Sequence, residues 1–221
     1  MNKFILFLFI ITSLLTSSCI EIIDDLTLNN DRSGTFKYTI NLSSSKLKVN
    51  AVLALDSFNG QRIPKINEIK EKFKQFQQTL STQPGISNVN ISENYTDFIF
   101  KFQCDFTTLS TLQDGLKQSF LIFYSEKDEN TWIEWNGKTL TRSVPKFSFP
   151  EFFVLGSKEE ELLKQGYYMS ITRFDTPITK FSNTNSILSK SKLALMLKVN
   201  SFELKQNINL IENQITINKT K

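Results

Sequence analysis

The chain has 221 residues, is 40% hydrophobic and carries a formal charge of +4 with a pI near 8.9. That is enough apolar matter for the core of a domain of ordinary size, and 20 Phe against 2 Trp and 5 Tyr supply much of its volume. Histidine is absent, which excludes Ser-His-Asp and Cys-His catalysis, the common zinc sites and the usual neutral-pH proton shuttle.

The first 19 residues read MNKFILFLFIITSLLTSSC. Lys3 and the amino terminus make a small positive region, and an uncharged, mainly apolar run follows over residues 4–15. Such a run is too short to anchor stably across a bilayer but suits the hydrophobic part of a secretory signal. Its ending on Ser17, Ser18 and Cys19 resembles the lipobox of bacterial lipoproteins. The resemblance implies a signal peptide over residues 1–18, a diacylglyceryl thioether on Cys19 and an acylated (palmitate-type) new amino terminus. It places the protein in the bacterial cell envelope, with the outer membrane as the expected site. The membrane, through the N-terminal lipid, becomes the first partner, an envelope protein or lipid the next, and nucleic acid is excluded. Lipidation of Cys19 leaves Cys104 without an intramolecular disulfide partner.

Ile20, Ile22, Leu26 and Leu28 alternate with polar residues as a strand does, except that Asp24 stands where an apolar residue is due. The turn-rich run Asn29, Asn30, Asp31, Arg32, Ser33, Gly34 leads into Phe36, Tyr38, Ile40 and Leu42, which predicts an antiparallel hairpin. Residues 43–57 settle on no single period, so helix and irregular packing both stay open. Ile66, Ile69, Phe73, Phe76 and Leu80 recur at helical steps and predict an amphipathic helix ended by Pro84 and Gly85. Val89 and Ile91 predict a short strand, and residues 98–106 a longer one in which Cys104 shares a face with phenylalanines. Leu109, Leu112, Leu116 and Phe120 mark a second helix, capped by Thr107 or Thr108. Residues 121–124 or 131–135 offer a closing strand.

The second half reads as mostly β. Asn136 and Gly137 between residues 132–135 and 138–142 predict a hairpin with a type I′ turn. Residues 145–150 form a Pro-bounded aromatic connector. Ser157 with Glu160 reads as a capping box for a short helix ending near Gln165 and Gly166. Residues 167–174, 192–199 and 214–218 complete the strands. The fold class expected is therefore α+β: an antiparallel sheet covered by two amphipathic helices, similar to the ferredoxin-like split βαβ core, followed by a β-rich C-terminal half. Residues 19–221 read as one α+β domain, with a subdivision conceivable near residues 125–130.

Candidate chemistry is sparse. Asp24 with Asp25, and Glu159, Glu160 and Glu161, are the carboxylate groups available for acid–base work, and the glutamates suit a helix amino terminus equally well. Ser43 with Lys46, Ser45 with Lys48 and Ser189 with Lys192 have Ser-x-x-Lys spacing but lack the companion motifs of penicillin-binding enzymes. No glycine-rich phosphate cradle, complete calcium loop, metal site or cofactor motif is found. Trp132, Trp135, Phe147, Phe149, Phe152 and Phe153 form an aromatic cluster that either packs as core or stacks on a sugar or acyl partner. Glu21, Asp24 and Asp25 follow Cys19 as surface-export signals do in Bacteroidetes-type lipoproteins. The lipobox, the turn over residues 29–34 between the early strands, and residues 173–178 and 181–183 together resemble flavobacterial-type envelope lipoproteins, and the lipobox, early hairpin and β-rich end resemble, more distantly, LppM-like lipoproteins. The resemblance implies a lipid-anchored binding or assembly protein rather than an enzyme. An envelope hydrolase built on a carboxylate pair or a Ser-Lys dyad is the alternative.

Overall fold

The computed structural model describes residues 20–58, 61–123, 131–143 and 163–218. Glu21–Leu28 (β1) and Gly34–Asn41 (β2) form the expected hairpin, from Glu21 opposite Asn41 to Leu28 opposite Gly34. Their turn closes through the Asn29 N–H to the Ser33 carbonyl at 2.8 Å. Position 34 requires glycine, because a Cβ there would stand 2.0 Å from the Thr27 carbonyl oxygen.

Residues 43–57, whose period is undecided in the sequence, form a 3-10 turn at Ser43–Ser45 and the helix Lys46–Leu53 (α1). A two-stranded ribbon follows, Ser57–Phe58 (β3) with Gln61–Arg62 (β4). Ile66–Ser81 (α2) buries Phe76 and Leu80, as its apolar spacing requires, and the Glu68 carboxylate accepts the Lys65 N–H at 3.0 Å. Ile86–Asn94 (β5) runs well past the short strand expected around Val89 and Ile91, since pairing with Ile99–Phe106 (β6) carries its backbone through polar positions. Leu109–Phe120 (α3) starts at Thr108, whose Oγ1 accepts the Thr111 N–H at 3.2 Å.

The remaining elements are Ile133–Trp135 (β7), Thr139–Arg142 (β8), Tyr167–Phe174 (β9), Ile178–Phe181 (β10), Ile187–Leu188 (β11), Ala194–Asn200 (β12), Ser201–Gln206 (α4) and Asn213–Ile217 (β13). A seven-stranded sheet has the order β11-β12-β9-β1-β2-β6-β5, and a four-stranded sheet the order β10-β13-β8-β7. The molecule is thus a mixed α+β fold rich in strands. The seven-stranded sheet is not wholly antiparallel, because β1 and β9 run parallel from Glu21 opposite Tyr167 to Leu28 opposite Phe174. One face of this sheet is buried. It packs against α2 and α3 near β5 and β6, where Phe102 meets Phe76 and Phe120, and against the four-stranded sheet near β1 and β9.

Two expectations need correction. The ferredoxin-like core is not closed as predicted: β2, β6 and β5 lie in suitable order, but the place beside β2 belongs to β1. Residues 133–135 instead pair with β8, and α3 steers them there. The Gln113 side chain donates to the Ile133 carbonyl at 2.7 Å and accepts the Trp132 N–H at 2.9 Å, satisfying backbone groups that a sheet neighbour would otherwise pair. The β7–β8 turn is also not type I′. Gly137 takes φ +93°, whereas Asn136 stays outside the left-handed region and its Oδ1 accepts the Thr139 N–H at 2.9 Å.

Candidate functional site

Strand β1 places its two adjacent acids on opposite faces of the sheet. Asp24, the residue that breaks the apolar alternation, points inward and is 1% exposed. The Arg142 Nη2 on β8 donates to its Oδ1 at 2.5 Å, and the Tyr168 hydroxyl on β9 donates to its Oδ2. Arg142 Nη1 also donates to Thr172 Oγ1 at 2.9 Å. The cluster ties the two sheets together across the core. Burial first, and then the Asp24 charge, hold the Tyr168 phenol well above its ordinary value, so it stays a neutral donor. Beside it, Arg142, Ser170, Thr172 and Asn213 line a small cavity. The arrangement clamps the two sheets together.

The other sequence candidates are dispersed. Asp25 lies on the outer face in a bidentate pair with Arg173, at 2.9 and 3.0 Å. Glu21 accepts a hydrogen bond from Asn41 at 2.8 Å. Of the Ser-x-x-Lys pairs, Lys46 is engaged by Asp97 at 3.1 Å and Ser189 accepts the Ala194 N–H at 3.0 Å. Cys104 is fully buried, and desolvation, followed by the nearby Asp105 charge, pushes its thiol up to about 12. Trp132 is buried with its ring 6.0 Å from that of Phe36, while Trp135 is half-buried near Phe174. Cys19, Phe147, Phe149, Phe152, Phe153, the Ser157–Glu160 capping box and the glutamates at 159–161 lie outside the described residues. Among the described residues, no group of three His, Cys, Asp or Glu side chains could hold a metal ion. Nor, among them, is any helix long and apolar enough to cross a membrane.

At the residue next to Cys19 the chain is already part of the sheet. Ile20 is 3% exposed and its carbonyl accepts the Tyr167 N–H at 2.9 Å. Gly166 makes room for it, since a Cβ at that position would lie 2.6 Å from the Ile20 oxygen. Strand polarity gathers at this end the start of β1, the turn leaving β2, the segment entering β9 and the helix leaving β12. The inward Asp24 was signalled in the sequence as a break in alternation. Its partners Arg142 and Tyr168 carry no comparable signal.

No family model matches the chain, and no curated protein matches it. Among solved structures, the folded domain of the LppM protein of Mycobacterium tuberculosis is similar over 93% of each chain, with a TM-score of 0.43 and 10% sequence identity. The likeness is distant and assigns no residue a role.

Proposed function

We propose that the chain is a lipid-anchored protein of the bacterial cell envelope, held in the outer membrane. In this reading it acts by binding a lipid, glycan or protein partner, or as part of an assembly, and not by catalysis. The observation that carries the reading is the position of Ile20, buried and hydrogen-bonded at the start of a central strand, one residue after the lipobox-type Cys19. A lipid on Cys19 would hold the sheet within a residue or two of the head groups, at most about 3.3–3.6 Å each when extended. A domain held so closely is suited to work at the membrane surface and not to reach across the envelope.

The test is Cys19→Ser in a lipoprotein-processing bacterium, with inner and outer membranes fractionated. The variant is expected to leave the outer-membrane fraction or to accumulate unprocessed, because acyl chains gain about 0.8 kcal/mol per buried methylene. Unchanged membrane association and mature mass would overturn the lipoprotein reading. A Gly/Ser linker of about twenty residues between Cys19 and Ile20, with a reach of roughly 25 Å, is expected to preserve folding and impair function. Full complementation of a deletion strain by that variant would overturn the requirement for close apposition.

A further inference from the structure

Helix α1 has no buried residue, although five of its eight side chains are apolar. Its sequence, KLKVNAVL, is followed at once by Ala54 and Leu55. Leu47 is 79% exposed and Leu55 42%, while Val49, Val52 and Leu53 are half-buried. Eight residues form a marginal helix unless packing or an apolar surface supports them.

Its place in the fold puts it near the start of β1. Glu21 pairs with Asn41, so the helix begins five residues beyond the partner of the second residue after Cys19, at most about 17 Å of chain away. It is held at that end of the sheet from both sides. The Ser45 N–H bonds to the Leu42 carbonyl at 2.8 Å, the Leu42 N–H bonds to the Phe98 carbonyl at 3.0 Å, and Lys46 pairs with Asp97 at 3.1 Å. Lys48 is exposed on the same helix, and Lys205 is exposed on α4 at the same end. Leu47 lies between Lys46 and Lys48, an arrangement that suits an interface of acyl chains and anionic head groups, while Leu55 is followed by Asp56, which Lys65 pairs at 2.9 Å.

We propose that α1, with Leu47 on the helix and Leu55 just past its end as the inserting side chains, is a membrane-contact helix that beds into the interfacial layer of the bilayer. The proposal rests on the lipid-anchor reading for its geometry. It adds a second, non-covalent attachment, which fixes the orientation of the domain on the membrane. A lipid at Cys19 alone would leave the domain free to rotate about one point. A helix in the interface beside it removes that freedom and gives the opposite end of the sheet, with the Asn29–Ser33 turn, a fixed outward direction.

The test uses the full chain in vesicles of phosphatidylethanolamine and phosphatidylglycerol, with an environment-sensitive fluorophore on Leu47→Cys or, as the control, on Lys190→Cys. Lys190 is exposed in the turn before β12, at the far end of the sheet; buried Cys104 does not compete for the label, and the chain without an introduced cysteine reports any label taken up by Cys19. The expected result is dehydration of the label at position 47 and its quenching by nitroxide-bearing lipids, with neither at position 190. In the Cys19→Ser chain, Leu47→Glu with Leu55→Glu is expected to lower vesicle affinity at least about tenfold without changing the thermal transition. A label at 47 that stays in water while the chain remains vesicle-bound would overturn the contact helix and leave the lipid anchor standing. Loss of the anchor with retained quenching at 47 would do the reverse. Dehydration at 47 that needs no lipid and grows with protein concentration would assign the helix to a second copy of the chain and overturn the proposal.

Discussion

Asp24 and Asp25 are neighbours on one strand, and each pairs with an arginine, but the two pairs sit in opposite solvents. The Asp24–Arg142 side chains are 1% and 4% exposed, bridge two sheets and are joined by Tyr168 and Thr172. The Asp25–Arg173 side chains are 21% and 47% exposed and bridge two strands of one sheet. The alternation of a β-strand alone produces the difference. A buried charge has no water to turn to, so losing its partner leaves the full desolvation penalty in place. An exposed charge that loses its partner is rehydrated. The same chemistry is therefore structurally decisive on one face and nearly neutral on the other.

The largest effect is expected from breaking the buried pair. Asp24→Ala should lower the unfolding free energy by about 3–5 kcal/mol, read from urea denaturation, because it strands the Arg142 guanidinium in the core. Asp24→Leu combined with Arg142→Met should recover most of that loss, since an apolar pair has no charge to desolvate. A cost below about 1 kcal/mol for Asp24→Ala would mean that water reaches the pair and that the two faces do not differ as described.

An alkaline titration sharpens the comparison on the buried face, where Cys104 lies opposite Phe36 in the β2–β6 register. Its thiol is raised from 9.0 to about 12 by burial and by Asp105. Above pH 9 the unfolded chain gives up this proton while the folded chain keeps it. Stability is therefore fully present below pH 9 and falls as pH rises towards 12, by up to about 1.4 kcal/mol per pH unit from this group. Cys104→Ala should cost about 1 kcal/mol at neutral pH and flatten that alkaline decline, with a residual slope from Tyr168, whose phenol is also raised. The native thiol should react with a labelling reagent only on unfolding, and rapid labelling of the folded chain would overturn its placement in the core.

The smallest effect belongs to the outer pair. Arg173→Ala should cost at most about 1 kcal/mol, and the loss should shrink as salt is added. A loss matching that of Asp24→Ala, insensitive to salt, would show that something covers the outer face of the sheet.

Much of the local structure was legible in the residues. The hairpin of β1 and β2, the helices α2 and α3, strand β6 and the burial of Cys104 follow from periodicity and turn chemistry, which act within a few residues. Less was legible of the candidate sites. Asp24 announced itself by breaking an apolar alternation, but its partners stand 118 and 144 residues away in sequence. Helix α1 was obscured for a different reason: without a buried face it has no apolar–polar period to detect.

The sequence by itself determined the class of the fold, the main periodic elements and the likeness of its first residues to a lipoprotein signal. Those properties depend on neighbours along the chain. The tertiary structure decided sheet membership: β1 instead of β7 beside β2, β9 parallel to β1, and Arg142 carried across the core to Asp24. Strand partners are chosen by register and by the satisfaction of backbone groups, as Gln113 does for β7, and both depend on residues that meet only when the chain is folded.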